Sequence, residues 1–289
     1  MNTTTNQEQT NQIVQKSSIK LEKLNVKNKE HQFKGGALLP VLSFFLLWEA
    51  VSWLNMSINL INPIFLPAPS MVILRGIQMA QDGLIIGSIL SSTYRIVAGY
   101  ILGSIFAIFL GILMTRFIKI EKWFGPILNM IGPIPALALL PLFIIWFGIG
   151  EIPKVLLIAW TTFIPVLTYA LDGLKSVNII IIRSALSLGA SNRGLFRKVI
   201  LPSALPNIFV GLQVSLALAF SALVVSEMMG AKAGLGYLIV DARNFFKISD
   251  MFVAIILIGI EYSIISMLLK SLERKITKWR KGGLQDAVE

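Results

Sequence analysis

The sequence predicts an all-α membrane protein of six transmembrane helices with both termini in the cytoplasm. Three observations predict it. Hydrophobic residues make up 55% of the 289, with a mean hydropathy of +0.75. Apolar runs repeatedly reach the roughly 17 to 25 residues that cross a bilayer. Basic residues collect on alternate connecting segments, the signature of cytoplasmic loops.

Taken in order, residues 1–36 form a polar tail with Lys16, Lys20, Lys23, Lys27, Lys29 and Lys34. The tail lacks the short apolar core and small-residue cleavage site of a secretory signal and is expected to be cytoplasmic. Spans are then expected at about 37–54, 84–114, 124–147, 153–172, 206–228 and 251–269, together a membrane domain over 37–269, followed by a second basic tail at 270–289. With the N-terminus inside, twenty of the twenty-six Lys and Arg fall on inside segments. Before the second span, INPIFLPAPS carries three prolines and then Ser70, an expected N-cap for a short helix at the outer surface. In the second span Gly99, Gly103, Ala107 and Gly111 recur every fourth residue, a stripe where another backbone can come close. Pro133, Pro135 and Pro141 interrupt the third span and free backbone carbonyls, as in broken helices that border pathways.

Several function classes are excluded by composition. There is no cysteine, and the single histidine, His31, sits in the tail, so thiolate metal sites and histidine catalysis have no support. The net charge of +11 lies beside the spans and does not form a nucleic-acid patch. No Gly-Lys pair occurs, hence no phosphate-cradling P-loop.

The informative stretch is SLGASNRGLFRKVILP, Ser187 to Pro202, between the fourth and fifth spans. Across about 181–200 apolar and basic residues mix in a helix-like insert, too polar to span and too apolar to float. Leu201-Pro202 and Pro206 are expected to end it and make the next span restart. Gly189 allows either a bend or a close approach by a partner. Two roles fit these residues: a docking surface for another protein, or a helix resting on lipid headgroups.

Ala185, three residues, Gly189, nine residues, then Val199, Ile200, Leu201 and Pro202 resemble the coupling motif of binding-protein-dependent ABC transporter permeases. That motif reads Glu-Ala-Ala, three residues, Gly, nine residues, Ile, one residue, Leu-Pro. Arg183 and Ser184 stand where its first Glu-Ala would be, a charge reversal, and Val199 replaces Ile. FLPAPS, STYRIVAGYILG, IPALALLPLFIIWFGIGE and SLGASNRGLFRKVILPSALPNIFVGL narrow the resemblance to the sulfonate, nitrate and taurine branch, over about Leu66 to Asp250.

The resemblance implies the type I ABC importer permease fold in a bacterial-type inner membrane. It also implies a homodimer, two ATP-binding cassette subunits that hold ATP and Mg, and an extracytoplasmic substrate-binding protein. Coupling to the ATP-binding subunit would fall on Ala185, Leu188, Gly189, Ala190, Arg193, Phe196, Leu201 and Pro202. The cargo would be a small anion such as a sulfonate, nitrate, taurine or bicarbonate. Along the path the candidates are Arg95, Gln213 and Glu227. Arg95 either draws an anion, or snorkels from near the outer end of a long helix, or pairs with an acid, Glu227 being the candidate partner, and Gln213 either lines the path or bridges helices. Phe143, Trp146 and Phe147 read as an interfacial aromatic belt. The rival functions are an ion-coupled secondary transporter, which would show repeated halves and midplane carboxylates, and an intramembrane enzyme, which would need facing nucleophile and base.

Overall fold

The computed structural model describes Leu38–Trp279, so the tail expected at 1–36 and the last residues of the one expected at 270–289 lie outside the described residues. Among the described residues all regular structure is helical. The chain divides into two compact units after Met71.

The first unit holds α1 (Leu38–Ile58), apolar on all sides as a membrane helix must be, and a 3-10 turn at Pro63–Phe65. Asn55 ties the chain reversal between them, its side-chain amide donating to the Ile61 carbonyl and accepting from the Ile61 N–H, both at 2.9 Å. Helix α2 (Pro69–Gln81) begins in this unit and continues in the second. Ser70 is not its N-cap. Proline, with its preset φ and missing N–H, takes the first helical position, and Ser70 follows inside the first turn. Glu49 of α1 supplies the cap instead, accepting the Ser70 N–H at 3.0 Å and its hydroxyl at 2.7 Å.

The second unit is built on α3 (Leu84–Arg116), α6 (Glu151–Lys175) and α9 (Leu201–Met228). The small-residue stripe is the α3 face that meets α6. A Cβ on Gly103 would stand 2.2 Å from the Ala159 carbonyl oxygen, and one on Gly99 would stand 2.7 Å from that of Val155. The seam continues between α6 and α9, where a Cβ on Gly173 would lie 3.0 Å from the Ala204 oxygen and one on Gly211 would lie 2.6 Å from Tyr169 Cβ. Ile96, Leu157, Ile158, Leu216 and Leu223 fill the centre with almost no exposure. Around this core lie α10 (Leu235–Asn244) and α11 (Ile248–Ile276), the latter extending past the span expected at 251–269. Val72 and Met79 of α2 pack against Ile85 and Val253, and Arg75 forms a two-point ion pair with Asp250 at 2.6 and 3.0 Å.

The third span is two helices. α4 (Ile118–Ile131) and α5 (Ala136–Phe147) meet at 105° across Gly132–Pro135. Pro133 and Pro135 supply no N–H, so the carbonyls of Asn129 and Ile131 lose their α-helical donors and the ladder stops at Gly132 N–H to Leu128 O, 2.8 Å. Pro141, alone in the middle of α5, does not break it. Twelve residues are too few for α5 to cross a bilayer by itself. With the bent pair counted as one crossing, the described residues hold six candidate spans, as the hydropathy predicts.

Candidate functional site

At one end of the α3, α6, α9 core, buried charges converge. Arg95 is 3% exposed. Its guanidinium donates through Nε and Nη2 to Glu151 at 2.5 and 2.8 Å, and through Nη1 to Glu227 at 2.8 Å and the Ala233 carbonyl at 2.7 Å. Glu227, 1% exposed, also accepts from the Ser92 hydroxyl at 2.8 Å and the Gly236 N–H at 2.7 Å. Lys154 adds a second cation on Glu151 at 3.1 Å. The formal charges cancel, two cations against two carboxylates, which satisfies the requirement that buried charges be paired. The turn leading into α10 is wrapped on this cluster. Gly234 has φ +134°, and a Cβ there would fall 2.5 Å from the Glu227 carboxylate, so only glycine fits.

Of the candidate path residues the structure therefore joins Arg95 and Glu227, and it places Gln213 elsewhere. Gln213 donates from Nε2 to Glu273 of α11 at 2.5 Å, bridging helices. Nearby, the Tyr100 hydroxyl donates to the Leu212 carbonyl at 2.5 Å. Glu261 of α11 accepts from the Thr93 hydroxyl at 2.8 Å, and its other carboxylate oxygen is buried without a partner.

At the opposite end, α6 and α9 are joined by the insert, which is not one helix. α7 (Ile179–Ser187) starts under the Asn178 side chain, which accepts the Ile180 N–H. It stops at Gly189, whose φ is +81°. Ala190 N–H bonds back to Ala185 O at 3.0 Å and Gly189 N–H to Leu186 O at 2.9 Å, the paired bonds of a Schellman turn. Two residues later Ser191 caps α8 (Asn192–Leu195), accepting from Gly194 N–H at 3.2 Å. The positive φ of Gly189 serves the bend, and the place its Cβ would take is open space within the chain. The corner residue before it, Leu188, is 88% exposed.

Beyond the corner the helix does not restart at the proline. Phe196–Ile200 forms a π turn, Leu201 N–H reaching back to Phe196 O, and the chain runs on through Pro202 and Pro206 into α9. The wider i to i−5 pitch accommodates a residue that has no N–H to give and whose ring crowds the carbonyl four residues back. Of the remaining coupling candidates, Arg193 is exposed, Ala185, Ala190, Phe196, Leu201 and Pro202 are half-buried, and Phe196 and Leu201 pack on the core of Ala170, Leu174 and Ala204.

Two cavities flank the broken span. One of about 310 Å³ lies beside the break, lined by Leu128, Asn129, Gly132, Pro133, Ile164 and Thr168 among others. The other, about 410 Å³ and almost wholly apolar, is ringed by Phe106, Phe143, Trp146, Phe147, Trp160 and Phe163, so the aromatics expected as a belt line a hollow between α3, α5 and α6.

Known proteins resemble the chain as a whole. Residues 99–281 fit the family model of the binding-protein-dependent transport system inner membrane component. The putative aliphatic sulfonates transport permease protein SsuC of Bacillus subtilis is 34% identical over 87% of this chain and 90% of its own length. The taurine transport system permease protein TauC of Escherichia coli is 37% identical over 79% and 85%. The chain belongs to this family of ABC transporter permeases. A solved chain of the inward-facing MetNI methionine ABC transporter superposes on the permease with a TM-score of 0.59 at 18% identity, covering 67% of this chain and 96% of its own. The fold is that of the type I ABC importer permeases, a multi-pass membrane protein.

Three features of the permease were not found in its sequence. Glu151 completes the Arg95 cluster from a distance of 56 residues along the chain, and Glu49 caps α2 from α1. The third, the buried Glu261 with its partner Thr93, had only the weak signal of an acid inside an apolar run.

Proposed function

We propose that two copies of this permease form the translocation path of an ATP-driven importer for a small anionic solute of the sulfonate or taurine type. A cytoplasmic ATP-binding subunit, which holds ATP and Mg, engages the corner at Leu188 and Gly189, and an external binding protein delivers cargo at the Arg95 end. Both termini then lie in the cytoplasm. The distribution of basic residues supports this orientation, and the names of the relatives support the cargo class.

The observation that carries the reading is the corner itself. An 88% exposed leucine held on a double-capped bend is a side chain shaped for insertion. From Asn192 the helical run continues for 37 residues to Met228, about 55 Å at 1.5 Å per residue. Displacement at the corner is therefore carried along one continuous rod to Glu227. Arg95 and Glu227 fasten the far ends of α3 and α9 together, and Gln213 fastens α9 to α11, so these three residues keep the rod and its neighbours in register around the path.

Gly189→Trp tests the reading. Membrane insertion and dimer formation should persist, while ATP hydrolysis by the reconstituted complex no longer drives uptake. Normal transport by that variant would refute the docking assignment. In vesicles, uptake that survives ATP withdrawal and stops when ion gradients are collapsed would instead establish a secondary transporter.

A further inference from the structure

Between Asp172 and Glu227 the sequence contains no acidic residue and five basic ones. Lys175 is paired with Glu121. The other four, Arg183, Arg193, Arg197 and Lys198, are all exposed and form no ion pair among the described residues. They lie on α7, α8 and the π turn, the elements that flank the corner. At the other end of the core Arg75 and the buried Arg95 and Lys154 each have a carboxylate, while the exposed Lys232, Arg243 and Lys247 form no ion pair among the described residues. The corner thus carries four exposed cations without a carboxylate partner among the described residues, on a stretch of chain that holds no acid of its own.

Resting on the proposed docking of this corner, we infer that the ATP-binding subunit of this permease grips it with an acid-lined groove, whose carboxylates face Arg183 and Arg193 on either side of Leu188. A neutral or basic groove would leave four cations unpaired on engagement, and like charges across an interface cost several kcal/mol. An anionic lipid surface is the other chemistry that attracts cations, and the geometry disfavours it. A helix lying in a headgroup plane has one apolar face. Here Ile179, Ile180 and Ile181 are all about half exposed or more, and since successive side chains are about 100° apart they surround the first turn of α7. The axis then breaks at Gly189. A corner with apolar surface on several sides and cations flanking its tip fits a groove better than a plane.

The full complex provides the test, with the immobilised permease in nanodiscs of uncharged lipid and its ATP-binding subunit in solution. Wild type should lose affinity as NaCl is raised. Arg183→Glu with Arg193→Glu should bind on the order of tenfold or more weakly at low salt, with a flattened salt dependence. Arg183→Lys with Arg193→Lys should bind nearly as wild type, showing that charge and not folding is at issue. Replacing acids of the groove by Lys should restore the glutamate variant. If the glutamate variant keeps wild-type affinity and salt dependence while Gly189→Trp releases the subunit, the corner docks but the acid-lined groove is refuted. If neither variant releases it, the docking assignment itself falls. If binding of wild type requires anionic lipid and the glutamate variant loses only that requirement, the cations serve the membrane and the inference is overturned.

Discussion

Gly103→Ala is the sharpest test of how the core is held together. The added Cβ would stand 2.2 Å from the Ala159 carbonyl oxygen and 3.0 Å from its carbonyl carbon and Cα. All three atoms are backbone, so no side-chain rotation relieves the clash, and α3 must move off α6 by about 1 Å. A gap of that size forfeits a quarter to a half of each dispersion contact along the seam, and overpacking in folded cores costs about 1–3 kcal/mol. Alanine returns about 0.5–1 kcal/mol of helix preference, leaving a net loss of about 1 kcal/mol, roughly five- to tenfold in the unfolding equilibrium. Gly111→Ala is the control on the same stripe. Its Cβ would meet Ala170 Cβ at 3.4 Å and Leu167 Cδ1 at 3.5 Å, ordinary contact, so it should be neutral or stabilise by a few tenths of a kcal/mol. Unfolding in mixed micelles with rising SDS, followed by tryptophan fluorescence, measures both. Equal stability of Gly103→Ala and wild type would refute the backbone contact, and equal gains in both variants would show that the stripe responds to helix propensity and not to spacing.

Glu227→Ala should cost about 3–5 kcal/mol, because it strips the buried Arg95 of one carboxylate and leaves the Gly236 N–H without its acceptor. Glu151→Ala, whose side chain is half exposed, should cost much less, and equal losses in the same unfolding assay would contradict the burial argument. Phe246 holds φ +54° at the end of α10, where left-handed backbone costs a non-glycine residue about 1–2 kcal/mol. Phe246→Gly should therefore raise the thermal midpoint, and a lowered midpoint would show that the ring is packed. Pro202→Ala restores an N–H behind the π turn, so amide exchange over 196–202 should slow as the turn tightens, and unchanged exchange would mean that the proline does not set the pitch.

Much of the scaffold is legible because its causes are local. Hydropathy gives the six crossings, since only helices satisfy their own backbone in lipid. The Gly99 to Gly111 stripe is legible because close backbone approach needs small residues at every helical turn, and at Gly99 and Gly103 it needs the missing Cβ itself. The prolines are legible as residues but not as outcomes. Pro133 and Pro135 remove two donors within three residues of Gly132, and the chain turns through 105°. Pro202 is expected to break the chain in the same way, yet a single π turn absorbs the loss and the helix, anchored by Ala204 against Gly173, runs on without interruption to Met228. What decides between bend and bulge is the packing of the following helix, which no local pattern records.

The same limit applies to the charges. Arg95 is conspicuous in an apolar run, but its partner Glu151 lies at a span end, where an acid looks solvent-facing, and only the fold shows that the guanidinium reaches it. The two Schellman turns make the point most directly. At the corner, Ala190 N–H to Ala185 O and Gly189 N–H to Leu186 O close α7; after α10, Lys247 N–H to Ala242 O and Phe246 N–H to Arg243 O repeat the pattern. Glycine marks the first, and phenylalanine hides the second. Where sequence and conformation agree the bend costs the chain little. Where they disagree, the surrounding fold must hold an exposed aromatic ring in a conformation it would otherwise leave, and the stability gained by Phe246→Gly measures how strongly it does so.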